Sequence, residues 1–440
     1  MGQFFTLRQI IILLLVTIAG VILSVIFHIP LVFGFLPGFI LLVLMVRSKQ
    51  VSIKRISEIC FKGVNRTSGV IWILLLVSFL LPSWHLSGTI DQLVSVSLQI
   101  ITPQHFFLIS FIVSLVFSMT LGTSVGTLSA VGIPIMSSAM TIGLPIEIAA
   151  GAVISGAFVG DRTSPFSSAH QLLANTVELS GKEQFRAMLP TTIFAILLGF
   201  IFYGIFDFYI QEATTNLISV NWNEFSLATF LPPIILIVFV VLRLKIIYAF
   251  LGSITSAILL ALIEKVSGSE IIGSLFYGID GMGGGFVNMY LLLLFLALAG
   301  AYNGLIEEFG IIQSLLDRWL ETSFSLIGDT VKAMVATLVI SMIAANQTLP
   351  IILTGRSFLP HWTRRYSKGE LARVMGDSTM LFPGMIPWSV LAIMCSTIIG
   401  VPLSSYLPYA IFLWMLPILS FAVSIYKHLS RKPYHYSKAS

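Results

Sequence analysis

Long apolar runs, cut by short polar clusters rich in Gly and Pro, recur along the whole chain. The runs IILLLVTIAGVILSVIF (11–27) and LVFGFLPGFILLVLMV (31–46) hold no Asp, Glu, Lys or Arg and are long enough to cross a hydrocarbon layer. Further apolar segments fall near 68–84, 105–121, 125–141, 145–160, 187–207, 229–242, 246–263, 286–304, 333–345, 349–360, 385–400 and 405–426. Several are short or interrupted by Gly and Pro, which predicts broken or re-entrant helices beside full spans. The number of crossings between 105 and 186 is left open by this pattern, because re-entrant hairpins do not change the parity. The predicted fold is an all-α polytopic membrane protein. A transmembrane barrel would alternate polar and apolar residues at period 2, and no region is long and polar enough for a soluble domain. Residues 1–28 read as a first transmembrane helix rather than a cleaved leader, since no small-x-small site follows the run.

Two halves look related. FKGVNRTSGVIWILLLVSFL begins at 61 and lines up with FYGIDGMGGGFVNMYLLLLFL at 276, an offset of 215; GDRTSPF at 160 lines up with GDSTMLF at 376, an offset of 216. The predicted organisation is a first transmembrane repeat over 1–210, a connector over 211–228, a second repeat over 229–426 and a basic tail over 427–440. Loop charges set their orientation. The loop after the second run carries Arg47, Lys49, Lys54, Arg55, Lys62 and Arg66 against Glu58, whereas its counterpart has Lys265 against Glu264, Glu270 and Asp280. By the positive-inside rule the first is cytoplasmic and the second external, so the repeats are expected to be inverted, with both termini cytoplasmic. Inverted repeats with broken helices are the architecture of secondary transporters; a channel or scaffold built by duplication is the alternative.

Composition sharpens this. Charged residues are 10% of the 440, hydrophobic ones 57%, and the mean hydropathy is +0.98; a soluble surface needs about 25% charged residues. The net charge of +5 therefore belongs to cytoplasmic loops rather than to nucleic-acid binding. Cys60 and Cys395 lie in or near apolar helices and carry no redox signal. No metal-ligand spacing of Cys and His and no nucleophile motif occurs, so neither an enzyme nor a cofactor is expected.

Four polar clusters carry the candidate chemistry. In GTSVGTLSAVGIP (122–134) the glycines loosen the helix while Thr123 and Ser124 add hydroxyls; the bland reading is small-residue helix packing. In GAFVGDRTSPFSS (156–168), Asp161 at bilayer depth costs roughly 2.5–3.5 kcal/mol on insertion scales and is retained where something uses it. Arg162 is a possible tether for it, through backbone unwound at Gly160 and Pro165. Free carbonyls at such a break, with Asp161, Thr163 and Ser164, would make an oxygen-rich pocket for Na⁺ or a proton. AANQTLPIILTGR (344–356) presents Asn346 and Gln347 at the end of an apolar run, and GDSTMLFPGMIPW (376–388) repeats the acid-plus-hydroxyl pattern with Asp377, Ser378 and Thr379. Arg162 and Arg356 are candidate ligands for an organic carboxylate. His170 is either a titrating gate or a lone polar contact. Glu307 and Glu308 read as a solvated helix end, and Asp280 as a turn residue.

At these clusters the chain resembles the NhaC-type sodium/proton antiporter family, within the wider ion-transporter superfamily, over most of residues 60–400. The marks are GTSVGT (122–127), ISGAFVGDRTSPFS (154–167), NQTLPIILTGRSF (346–358) and GDSTMLFPGMIPW (376–388). The chain is a divergent case. Where the family continues after Ser-Pro with an acid, two threonines and an Asn, this sequence has Ser168, Ala169, His170 and Gln171. A Thr-Ser-Pro-Leu run is replaced by Phe382, Pro383, Gly384 and Met385, and an Asp before the Gln appears as Asn346. The resemblance implies exchange of Na⁺ for H⁺ across the plasma membrane by alternating access, or transport of an organic acid coupled to either ion. In the first case Asp161 alternates between H⁺ and Na⁺, aided by Thr123, Ser124, Thr163, Ser164, Asn346, Gln347, Asp377, Ser378 and Thr379. In the second, Arg162 or Arg356 holds the carboxylate of a small organic acid or amino acid. The expected partners are Na⁺, H⁺ and the lipid bilayer, without nucleic acid; a homodimer is compatible with the sequence.

Overall fold

The computed structural model describes residues 5–93, 103–210, 226–242, 244–279, 284–312 and 325–430. Most of the expected connector, the tail from 431 and Asp280 lie outside the described residues. Nine helices among the described residues are long and apolar enough to cross a membrane.

The chain opens with α1 (Leu7–Ile26) and α2 (Leu31–Ser48), which cross where Gly20 meets Gly34; a Cβ on Gly20 would sit 2.2 Å from the Gly34 carbonyl oxygen. Helix α3 (Ile53–Leu86) has 34 residues, about 51 Å at 1.5 Å per residue, so it projects beyond a hydrocarbon core of about 30 Å. The basic residues 54–66 occupy that projecting end.

Next come α4 (Phe106–Leu121), α5 (Ser124–Ile142), α6 (Ile146–Thr163), α7 (Ser168–Thr176) and α8 (Gly181–Ile210). Helix α5 contains a π-helical turn at Leu128–Gly132. It lies just before Pro134, whose ring crowds the carbonyl four residues back and which has no N–H to give. Helix α6 is buried continuously from Ile148 to Thr163, so it is the central element of this half. It lies against α4 at backbone distance: a Cβ on Gly160 would sit 2.0 Å from the Ser118 carbonyl. The Ser118 hydroxyl completes the seam, donating to the Gly156 carbonyl at 2.7 Å and accepting the Gly160 N–H at 3.0 Å.

The second half runs α9 (Leu231–Val241), α10 (Ile246–Ile263), α11 (Gly268–Tyr277), α12 (Phe286–Glu308), α13 (Leu326–Ala344), α14 (Thr348–Trp362), α15 (Lys368–Ser378), α16 (Val390–Ile399), α17 (Leu403–Tyr406) and α18 (Ile411–Ser430). Helices α3 and α12 cross through Gly63, Gly300 and Gly304, where a Cβ on Gly63 would lie 2.2 Å from the Gly300 carbonyl oxygen. Such small-residue contacts let helices pack in lipid without a hydrophobic drive between them.

The element order around the polar clusters recurs. Helix α4 ends at Gly122 and α13 at Ala345, both left-handed (φ 70° and 51°), and each end residue donates its N–H to a serine carbonyl four back, Ser118 and Ser341. Each break is followed at once by a new helix, α5 or α14.

Candidate functional site

Asp161 and Arg162 lie near the C-terminal end of α6. The helix persists through both and opens at Ser164, whose extended backbone is the conformation a following proline imposes. Of the two residues at which the sequence suggested unwinding, Pro165 marks the break and Gly160 does not, so the break begins after Asp161. The carbonyls beside it are engaged: Gly160 accepts the Ser164 N–H at 2.8 Å, and Asp161 accepts the Ser167 hydroxyl at 2.5 Å. Ser167 then caps α7.

Neighbours on a helix diverge by about 100°, and the two charges take opposite directions. The Asp161 carboxylate faces the breaks of both halves. The Ser124 backbone N–H, at the start of α5, donates to it, and Gln347, the residue before α14, donates its amide to Oδ2 at 3.3 Å and to the Met380 carbonyl at 2.8 Å. A helix N-terminus carries unpaired N–H groups and partial positive charge, so the start of α5 favours the carboxylate, and the Gln347 side-chain amide adds a neutral donor from the other half. Asp161 is 9% exposed and has no basic partner among the described residues.

Arg162 turns away to the second half. Its guanidinium pairs with Asp377 and donates to the Gly376 carbonyl at 3.0 Å, to Thr191 at 3.2 Å and to Thr192. Both charged side chains are inaccessible, at 1% and 0% exposure. Arg162 therefore neutralises Asp377 and leaves Asp161 uncompensated.

The remaining candidates divide into those near Asp161 and those occupied elsewhere. Thr123 caps α5 by accepting the Gly126 N–H at 3.4 Å. Asn346 caps α14, its Oδ1 accepting the Leu349 N–H at 2.9 Å. The hydroxyls of Thr163 and Ser378 return to carbonyls of their own helices, and Ser164 donates to the Met119 carbonyl at 2.7 Å. Thr379 joins Thr337 at 2.9 Å, and Thr337 joins Thr354 at 3.2 Å, a hydroxyl chain that ties α13, α14 and the end of α15. His170 sits beneath the α6 break, with Nδ1 2.8 Å from the Arg162 carbonyl and 2.9 Å from the Gln184 amide. Arg356 is exposed on α14 and does not join the cluster.

Other members escaped the sequence reading. Arg373 is buried one turn before Asp377 and binds Ser420 and Ser424 on α18 at 2.6–2.9 Å; its i, i+4 spacing to Asp377 was the available signal. Asn303 on α12 donates to the Ala344 carbonyl at 2.6 Å, and Trp388 donates to the Met342 carbonyl at 2.7 Å, so both hold the α13 end in place. Trp388 closes the 376–388 cluster and Asn303 lies one turn before Glu307, but neither carries a charge of its own.

The chain is 27% identical to the Na(+)/H(+) antiporter NhaC of Bacillus subtilis, over 85% of this chain and 87% of that protein. Similarity to the Na(+)/H(+) antiporter NhaC of Alkalihalophilus pseudofirmus is 26%, over 80% of each. A Malate-2H(+)/Na(+)-lactate antiporter of Bacillus subtilis is 26% identical over 93% of this chain and 92% of its own. The solved structure of Neisseria gonorrhoeae MtrF aligns with 84% of each chain at 16% identity and a TM-score of 0.36. The sequence model described as the Na+/H+ antiporter family matches residues 2–208 and 208–427, and with nearly the whole chain so covered, the protein belongs to the Na⁺/H⁺ antiporter family.

Proposed function

We propose that the protein is a secondary transporter that exchanges Na⁺ for H⁺ across the plasma membrane by alternating access, with Asp161 as the shared site. The observation that carries this reading is the contrast between two buried acids. Asp377 has Arg162; among the described residues Asp161 has only neutral donors, the Ser124 N–H and the Gln347 amide. A buried carboxylate without a counter-charge is costly unless it is protonated or takes up a cation. Either ion relieves the same cost, so each displaces the other, and one site performs exchange without a second coupling device. Thr123, Ser124 and Gln347, which stand at the two helix breaks, would supply the remaining oxygens of a shell for a hard cation. The two broken segments, one from each half, are the places where a site can be exposed alternately, and the repeat reading with inverted halves fits that role.

The family resemblance also allowed transport of an organic acid, with Arg162 or Arg356 as carboxylate ligand. Arg162 is committed to Asp377 and the threonines of α8, and Arg356 is exposed, so the geometry supports ion exchange over that reading.

Reconstituted vesicles test it. In Asp161→Asn, proton flux driven by a Na⁺ gradient falls to the background of empty vesicles. In the parent protein the apparent KM for Na⁺ rises as pH falls, because protons compete for the same carboxylate. Normal flux in the Asn variant would remove Asp161 from the mechanism, and proton movement that needs malate or lactate but ignores Na⁺ would favour the organic-acid reading.

A further inference from the structure

The first turn of α14 separates Asp161 from a cavity. Gln347 sends its amide to the carboxylate, while Asn346 and Thr348 on either side of it line a space of about 290 Å³ between α3, α12, α14 and the start of α16. Glycines 63, 300 and 304, at the close crossing of α3 and α12, border it. At about 30 Å³ per water, the space admits on the order of ten waters. Its polar wall follows one face of α12, where Asn303 and Glu307 stand at i, i+4. Glu307 pairs with Arg66 at the open end, where their side chains are 48% and 66% exposed.

We propose that this cavity is the vestibule through which Na⁺ and water reach Asp161 from the Arg66 face, with Glu307 collecting the cation at the mouth and the Gln347 side chain as the partition. The proposal rests on Asp161 being the exchange site. A cation arriving at the mouth meets a carboxylate still in contact with water, then the amide of Asn303, and keeps its hydration until it reaches the α14 end. Arg66 is the competitor at that mouth, because guanidinium and Na⁺ claim the same acid. By its surplus of Lys and Arg this is the cytoplasmic face.

The competition gives the test its sign. In the reconstituted full chain, Glu307→Gln raises the KM for Na⁺ about fivefold, with kcat falling less, and Arg66→Gln lowers the KM, the scale being that of one solvated charge contact. An ion pair that only fastens α3 to α12 is lost equally in both variants; KM shifts of the same sign would therefore overturn the proposal. Access is read separately. In a Cys60→Ser background, with the fully buried Cys395 retained, Thr348→Cys is labelled by a membrane-impermeant maleimide from the Arg66 face and not from the other. Absence of labelling from that face, or equal labelling from both, overturns the vestibule even if the Glu307 variant does not fold. Abolished exchange in Asp161→Asn with Thr348→Cys unlabelled would sink the vestibule and keep the site. Labelling together with full exchange in Asp161→Asn would sink the site, and with it the proposal.

Discussion

Asp161 and Arg162 show how much two adjacent residues can differ in energetic role. Arg162 and Asp377 form a buried pair with hydrogen bonds to Thr191, Thr192 and the Gly376 carbonyl, so removal of either partner strands a charge, at a cost of about 3–5 kcal/mol. Thermal unfolding in detergent should therefore fall steeply in Arg162→Met or Asp377→Leu and recover in the double variant. Asp161→Asn should behave in the opposite way, keeping or raising the unfolding temperature because an uncompensated charge is replaced by an amide. A melting temperature that drops as far in Asp161→Asn as in Asp377→Leu would place both acids in one structural network. The sequence made the doublet conspicuous, since two charges interrupt a long apolar run. It did not reveal their partners: Asp377 is 215 positions from Arg162, and which of two adjacent side chains turns towards it depends on where α6 stops.

At the scale of elements, apolar runs located the long helices, though not α7, α11 or α15, and polar clusters marked the breaks, while the boundaries followed local hydrogen bonding. Helix α8 begins at Gly181, ahead of the apolar run at 187, because Ser180 and Glu183 form a cap on a polar first turn. Gly160 was legible as a helix loosener but serves as a contact surface for α4. Extra glycine is not needed where Ser164 and Pro165 already stop the helix. The two left-handed ends differ in a way that a substitution pair can read. Ala345 holds φ 51° with a Cβ present, whereas Gly122 holds φ 70° without one. The left-handed conformation costs an L-residue about 1–2 kcal/mol. Ala345→Gly should accordingly raise the unfolding temperature, and Gly122→Ala should lower it by more than that strain alone, since a Cβ there would meet the Phe166 carbonyl carbon at 2.5 Å. Equal and opposite shifts would indicate that backbone strain is the whole effect.

At the scale of the molecule, α6 connects the two halves twice within one turn: through Asp161 to Gln347 and through Arg162 to Asp377. The sequence offset between the halves led to the expectation that their polar clusters correspond; the left-handed ends of α4 and α13 recur in the same order. It did not anticipate that each acid cluster would be completed by the opposite half. Long-range pairing of this kind has no local signature, because Gln347 and Asp161 share neither a helix nor a periodicity.

The glycine crossing of α3 and α12 has a mechanical consequence. Where backbone rests on backbone, with a Cβ on Gly63 only 2.2 Å from the Gly300 oxygen, there are no long side chains to re-pack, and sliding one helix past the other forces main-chain atoms into collision. We expect this pair to stay fixed during transport, and the displacement that exposes the proposed site to fall on α13 and α14, which meet α12 through the Asn303 amide and the hollow beside it. A disulfide engineered across α3 and α12 should leave transport running, whereas one that fastens α14 to α12 should stall it reversibly, restored by reductant.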